Sequence, residues 1–379
     1  MKILIAPDSF KGSLNALNVA KAIERGIFSV DSSVQSTLLP MADGGEGTMV
    51  NLVQATQGDV IKVQSIDPLG RPMMAEYGIT GGGKTAIIEL ATSSGIDLLK
   101  IEELNPLIAT SFGTGLLIKH ALEKGIKHFI ICLGGSATND GGVGLLQALG
   151  FRFLDNKGHE LLYGGQYLKD IETIDESNVI HAVKDAYFEI ACDVKNPFIG
   201  EQGASYIFGP QKGATPEMVK QLDQALEHFA HIIQKEKGIT IHQLEGAGAA
   251  GGVAGGMIGL LNSEIKRGIE LVIDFVDLES IVETEQFDYI FTGEGKIDGQ
   301  TSGGKVISGL SQLAKKHHIP IIALGGSVEK DLSKLYEQGL TAAFSITNGP
   351  MNLNNAMANS SYLIESQSEQ VFRIIKSKI

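Results

Sequence analysis

The segment GEGKIDGQTSGGKV, residues 293–306, holds two carboxylates, two ammonium groups and five glycines in fourteen positions. Glycine-rich backbone can turn several N–H groups toward one anion, and a helix starting after Lys305 would add the positive end of its dipole. The stretch Gly299–Val306 departs from the G-x-x-x-x-G-K-[ST] phosphate loop only at Val306, and it has a strand-like run before it and a helix-like run after it. Gly293, Gly303, Gly304, Lys296 and Lys305 are therefore candidates for holding the phosphates of ATP. Glu294 and Asp298 are candidates for Mg2+, which takes one or two carboxylates together with phosphate oxygens. A tight strand-to-helix connection or a solvated charged loop is the purely structural alternative.

Four further loops carry chemistry of the same kind. Asp8, Ser9 and Lys11 follow the first strand-like run, and Asp43 and Glu46 follow the second. An Asp at the carboxyl end of a strand can orient or deprotonate a hydroxyl, although Asp is also a common turn residue. In GGSATNDGGVG, residues 134–144, Ser136, Thr138 and Asn139 offer hydrogen bonds at a helix start. Asp193, Lys195 and Asn196 place a carboxylate, a cation and an amide directly after another strand, where an Asx turn before Pro197 is the bland reading.

Two other motifs match better in letters than in context. GITGGGKT, residues 78–85, fits the phosphate loop in full, yet MMAEYGIT and TAIIEL around it read as the two strands of a hairpin. GAGAAG, residues 246–251, fits the dinucleotide fingerprint, and Asp274 follows at a spacing suited to the ribose acid. Its preceding IHQLE is a poor strand, and glycines at 252, 255, 256 and 259 weaken the helix that should follow. An NAD-linked hydroxy-acid oxidoreductase is the alternative that this loop keeps open. No His stands in a recognisable arrangement with Ser or Cys.

Strand and helix signals alternate at both ends of the chain. MKILIAP and STLLPM read as strands, with a helix between them capped by Ser13 and a second helix from about Glu46. The rhythm returns in FDYIFTG, KVISGLSQLAKKHH, IPIIALGG, DLSKLYEQG and TAAFSIT, and a final helix is expected over about 354–377. Between them the pattern changes, with strands expected at HFIICLGG, YFEIACDV and ELVIDF and helices near 113–124, 141–150 and 216–237. The expected organisation is a discontinuous parallel-sheet α/β domain, residues 1–65 plus 286–379, with a second α/β domain, residues 66–285, inserted in it. The first domain's strands all run into polar, mostly Gly-bearing loops, which is where open parallel sheets bind ligands.

Composition narrows the partners. A net charge of -13 argues against nucleic acid or an anionic membrane surface. The apolar run at the N-terminus is too short for a signal peptide, and the longest uncharged segment, Gly246–Ser263, is too glycine-rich for a membrane span. Cys132 and Cys192 sit in strand-like runs without metal-ligand spacing, so they are expected to be buried and reduced, as suits a cytoplasmic protein. Composition leaves the oligomeric state open.

Taken together and in order, PDSFKGSLNA, MADGGEGT, GGSATNDGG, CDVKNPFIG, GAGAAGGVAGG and TGEGKIDGQTSGGKV resemble the bacterial glycerate kinase family over nearly the whole chain. The resemblance implies ATP- and Mg2+-dependent phosphorylation of D-glycerate, usually giving 2-phosphoglycerate, and glycerate is expected to sit in the cleft between two domains. It also implies a Rossmann- or flavodoxin-like domain built from both chain ends and a different inserted domain. On the residue reading, Lys11 or Lys195 meets the substrate carboxylate, and Ser9, Asp43, Glu46, Asn139 and Asn196 meet its hydroxyls. Asp193 is the first choice for the base and Asp8 the second. A glycerate-binding sensor without turnover is a further alternative.

Overall fold

The computed structural model describes residues 1–45, 47–299 and 301–377. They form two compact units, Met1–Asp43 with Arg267–Ile379 and Gly44–Lys266. The first is discontinuous and the second is inserted in it. The unit boundaries fall at 43/44 and 266/267 rather than at 65/66 and 285/286, and local pairing accounts for both differences. Residues 59–66 form a strand bonded along its length to residues 72–79, and the helix Thr48–Thr56 packs on that hairpin, where a Cβ on Gly78 would meet Val53 at 2.4 Å and Met49 at 2.9 Å. At the other junction ELVIDF is helical: Gly268–Phe275 buries Ile269, Leu271 and Val272. Its apolar residues pack on the helix Val306–Lys316, where a Cβ on Gly309 would meet Ile269 at 2.6 Å. A short apolar run suits a helix or a buried strand equally, and here the packing partner decides.

The strands, in chain order, are β1 (Lys2–Ile5), β2 (Gln35–Leu38), β3 (Asp59–Ile66), β4 (Pro72–Ile79), β5 (Thr85–Glu89), β6 (His128–Cys132), β7 (Arg152–Leu154), β8 (Thr173–Asp175), β9 (Tyr187–Ala191), β10 (Ser263–Lys266), β11 (Tyr289–Ile297), β12 (Ile321–Val328) and β13 (Ala342–Ser345). The first unit is one parallel sheet in the order β13-β12-β11-β1-β2. Counted within the unit this is 2-1-3-4-5, the flavodoxin-like order, and its switch point lies between β1 and β11. On one face Ile3, Ile5, Phe291, Ile322 and Leu324 share a core with the helices Ala16–Phe28 and Ser360–Lys376. Successive strand residues point to opposite faces, and Leu4, Ile290 and Ala323 are buried on the other.

The second unit has a mixed sheet, β10-β9-β6-β5-β4-β3, in which β4 runs antiparallel to both neighbours, and a separate β7-β8 pair. Its core includes Phe129 stacked on Phe188 at 4.8 Å between ring centroids.

Two expected details of the first unit differ. The helix after β1 is capped by Asn15, whose side chain accepts from Asn18 N–H at 2.9 Å, because Ser13 is turned away to donate to the Met357 carbonyl at 2.7 Å. The C-terminal helical region is two helices, Leu353–Ala358 and Ser360–Lys376, broken at Asn359.

Glycine spacing in the 246–259 stretch reflects backbone packing. A Cβ on Gly251 would lie 2.0 Å from the Thr138 carbonyl oxygen, and one on Gly256 would lie 1.9 Å from that of Gly141. Gly82, in the turn between β4 and β5, has open space around it. Gly256→Ala should therefore cost about 3 kcal/mol or more in urea unfolding, or abolish folding, since backbone cannot yield as a side chain does. Gly82→Ala should stay within about 0.5 kcal/mol of the parent.

Candidate functional site

A cavity of about 460 Å³ lies in the first unit at the carboxyl ends of its strands. Its polar side is built by Asp8, Ser9 and Lys11 after β1, Asp43 after β2, Glu294 and Lys296 at the end of β11, and Lys305. Its apolar side is built by Phe10, Ile346, Leu353, Ala356 and Met357. β1 and β11 stay paired as far as the bond from Asp8 N–H to the Gly293 carbonyl at 2.9 Å. Beyond it β1 gives way to a loop while β11 runs on beside β12 to Ile297, and Asp8 and Glu294 both line the crevice. Close passage of β12 beside β11 depends on Gly326, where a Cβ would come 2.5 Å from the Gly295 carbonyl oxygen.

Asp8 is buried, and its carboxyl is pushed up from 3.8 to about 7, first by burial and then by the Asp43 carboxylate. The Ser9 N–H, 2.6 Å from Asp8 Oδ1, and the Lys11 ammonium work against this rise, whereas Glu294 adds to it. Glu294 is also raised, mainly by burial; a hydrogen bond from the Thr301 hydroxyl and the charge of Lys305 oppose the rise. Lys11 reaches Asp43 at 3.8 Å, and Lys296 bridges Asp298 at 2.9 Å and Glu329 at 3.4 Å. Three carboxyl groups thus raise or feel one another's charge in a partly dry crevice, an arrangement that favours uptake of a proton or a cation.

Around Lys305 the loop has the geometry that its letters only approximate. A short turn, Thr301–Gly303, leads to Gly304 at φ +116° and then to the helix Val306–Lys316, with Lys305 as its N-cap residue. The Lys305 side chain does not cap that helix start, and among the described residues no other side chain is bonded to its first N–H groups. Gly293 is buried within β11, and neither Gly303 nor Gly304 lines the cavity; Gly304 borders a smaller hollow beside Arg267. Asp298 stands behind Lys296. Glu46 lies outside the described residues.

The other predicted residues belong to the second unit, beyond the carboxyl ends of β6 and β9. Asn139 is fully buried and donates to Ser205 Oγ at 3.0 Å. Asp193 and Lys195 are exposed, with Lys195 paired to Glu245 at 2.8 Å, and Asn196 donates to the Gln202 carbonyl at 2.8 Å. The 134–144 loop is held from within by Asp140, which accepts from the N–H groups of Ser111, Gly142 and Gly144 and from the Ser111 hydroxyl.

The model of the glycerate kinase family matches residues 3–376. The chain is 46% identical to glycerate kinase of Bacillus subtilis, over 99% of this chain and 98% of that protein, and 46% identical to glycerate kinase of Haemophilus influenzae over the full length of both. It is 44% identical to glycerate 2-kinase of Escherichia coli, over 94% of this chain and 93% of that one. The chain belongs to the glycerate kinase family.

A solved structure of a proposed glycerate kinase 2 from Salmonella typhimurium LT2 superposes with a TM-score of 0.91 at 42% identity, covering 100% of this chain and 99% of that one. Membership makes the chain an enzyme, a glycerate kinase. Neither competing nucleotide motif has the local structure it needs. Lys84 sits in the antiparallel β4–β5 connection, where a strand and not a helix follows it, and Ala250 and Gly251 of the GAGAAG stretch, with Gly252 after it, take left-handed backbone angles inside a helix that follows another helix rather than a strand. Neither cysteine is in a disulfide and both are buried, and no described helix is long and apolar enough to cross a membrane.

Three parts of these sites were not apparent in the sequence. Thr301 is buried against Glu294, and a hydroxyl seven residues after an acid is a weak signal. Lys212 is fully buried in the second unit, donating to Ser136 Oγ at 2.7 Å and the Thr138 carbonyl at 2.6 Å, although GPQKGAT reads as an exposed turn. Burial pushes its ammonium down to about 7, against the pull of Asp140. The apolar wall of the cavity comes from residues far apart in the chain.

Burial at Asp8 has a measurable cost. Its carboxyl is raised to about 7, so its contribution to folding is most favourable below the unfolded value of 3.8 and is lost as pH rises through 7. Asp8→Asn should therefore stabilise the ligand-free enzyme at pH 8, by on the order of 2 kcal/mol, and do little at pH 4, as read from urea midpoints at the two pH values. Lys212→Met should cost about 3 kcal/mol in the same assay, because it removes the donor that buried Ser136 Oγ and the Thr138 carbonyl bond to.

Proposed function

We propose that this enzyme transfers the γ-phosphoryl group of ATP to the 2-hydroxyl of D-glycerate at the first-unit cavity, with Mg2+. The observation that carries the reading is the convergence of Asp8, Asp43 and Glu294 with Lys11, Lys296 and Lys305 at the switch point of a flavodoxin-order sheet. Phosphoryl transfer asks mostly for positioning and neutralisation of charge, and this crevice supplies both signs, with an acid and a lysine together after β1 and again at the end of β11. The choice of the 2-hydroxyl is supported by the 44% identity to a protein named glycerate 2-kinase.

Glu294 and Asp43 fit a hard divalent cation: both are carboxylates lining the cavity, and burial and the neighbouring acids Asp298 and Asp43 make the charged form of Glu294 costly without a cation. The three acids of the cavity are not among the described groups whose ligand atoms lie within 4.8 Å of one another; the one such cluster is Glu279, Glu283 and His317, outside it. Phosphate oxygens and water would thus complete the coordination, as is usual for Mg2+. When bound, the ion would offset phosphate charge. Lys305 and the open helix start behind it receive the terminal phosphates, and Lys296 adds a second cation held in place by Asp298.

Lys11 meets the glycerate carboxylate, and Ser9 and Asp43 orient its hydroxyls. The 2-hydroxyl oxygen bonds to the γ-phosphorus as the bond to the β-phosphate oxygen breaks, and its proton passes to Asp8. A carboxyl raised to about 7 is a better match to a base working near neutrality than an ordinary one. Asp193, the first choice from sequence, is exposed beyond β9, and a partly dry crevice favours Asp8. Consumption of ATP and two reduced thiols fit a cytoplasmic enzyme.

ADP release should require D-glycerate, fail with L-glycerate, lactate or EDTA, and give a product whose phosphorus resonance belongs to 2-phosphoglycerate. Turnover with lactate or without a metal ion would overturn the reading. Asp8→Asn should lower kcat about 10²-fold or more, whereas Asp193→Asn should stay within about tenfold. The reverse pattern would return the base to Asp193. Lys305→Ala should raise the KM for ATP about tenfold or more, and unchanged kinetics would remove its phosphate role.

A further inference from the structure

The phosphate reading of the cavity accounts for only one of its sides. Phe10 and Ile346 are buried in its floor, Ala356 and Met357 are half-buried, and Leu353 is 74% exposed at its mouth. Glycerate and a triphosphate are polar throughout and have no use for such a surface. A nucleobase does, because its two faces are flat and weakly hydrated while its polar atoms lie on the edge.

The apolar wall is also built in place. Asn352 caps the short helix that carries it, accepting from Asn355 N–H at 2.8 Å. Ser13 Oγ donates to the Met357 carbonyl at 2.7 Å and meets Ser360 Oγ at 2.6 Å, which ties the helix to the loop that carries Asp8 and Lys11. Gly12, at φ +74°, brings the two so close that a Cβ there would fall 2.9 Å from Met357 Cε. The cation-bearing side and the apolar side therefore keep a set separation within one cavity of about 460 Å³, a size suited to a nucleotide.

We infer that Phe10, Ile346, Leu353, Ala356 and Met357 form the base subsite for the nucleotide whose phosphates Lys305 receives. The subsite rests on the phosphate reading of the same cavity, since the base must lie within one nucleotide length of that lysine. Leu353 and Met357 close over the base from the solvent side, and Phe10 and Ile346 support it from below.

The test is calorimetric titration of the whole enzyme with a non-hydrolysable ATP analogue and, separately, with inorganic tripolyphosphate, both with Mg2+. Leu353→Ser, at an exposed position that folding does not need, and Met357→Ser should each weaken the analogue about tenfold. Both should leave tripolyphosphate within about twofold. Lys305→Ala should weaken both ligands. If the two Ser variants bind the analogue as the parent does while Lys305→Ala loses it, the base lies elsewhere and the phosphate site stands. If the Ser variants lose tripolyphosphate as strongly as the analogue, the wall supports the cavity rather than the base, and the subsite is refuted. If Lys305→Ala changes neither ligand, the phosphate reading fails, and the subsite with it.

Discussion

Burial of like charge at the sheet's switch point is the constraint around which the first unit is arranged. Asp8, Asp43 and Glu294 come from the ends of β1, β2 and β11, and the order β11-β1-β2 is what brings those ends together. Left alone, such a cluster would take up protons, and Asp8 and Glu294 are raised accordingly. The chain offsets part of the cost with the Ser9 N–H, the Thr301 hydroxyl and the ammonium groups of Lys11 and Lys305. What is left over is the raised state of Asp8 and Glu294, a cost that a bound cation would relieve at the proposed Mg2+–nucleotide site. Groups that destabilise the empty protein are common where function demands them.

The cluster stays in place because the sheet beneath it is covered on both faces. The helices Ala16–Phe28 and Ser360–Lys376 lie so close that a Cβ on Gly26 would meet the Glu365 carbonyl oxygen at 2.3 Å. Parallel ladders then fix where each strand ends, and so where each loop starts. The apolar wall opposite the acids depends on the same packing, because Ser13 fastens it to the loop after β1.

The second unit solves a different problem with similar means. Its 134–144 loop has few exposed side chains and is tied down by buried polar groups, Asp140 from one side and Lys212 from the other. The glycines of the 246–259 stretch let a second backbone segment lie directly on this loop. Glycine motifs that look like nucleotide fingerprints can thus arise from close contact of backbone with backbone, where any Cβ would collide.

The amino-acid sequence by itself determined the class of the fold, the discontinuity of its first unit and most of the polar residues of the cavity. Periodicity marks strands and helices, and glycine with charge after each strand marks the ligand edge. Asp8, Lys11, Asp43, Glu294, Lys296 and Lys305 were legible for that reason. Family membership was legible too, in six motifs kept in order. Tertiary structure alone decided that residues 59–66 pair with β4 and that ELVIDF is a helix, because short apolar runs take the form of whatever packs on them. It alone assembled the apolar wall from Phe10, Ile346 and Met357, and it buried Lys212, since contacts between residues far apart in the chain leave no trace in local spacing.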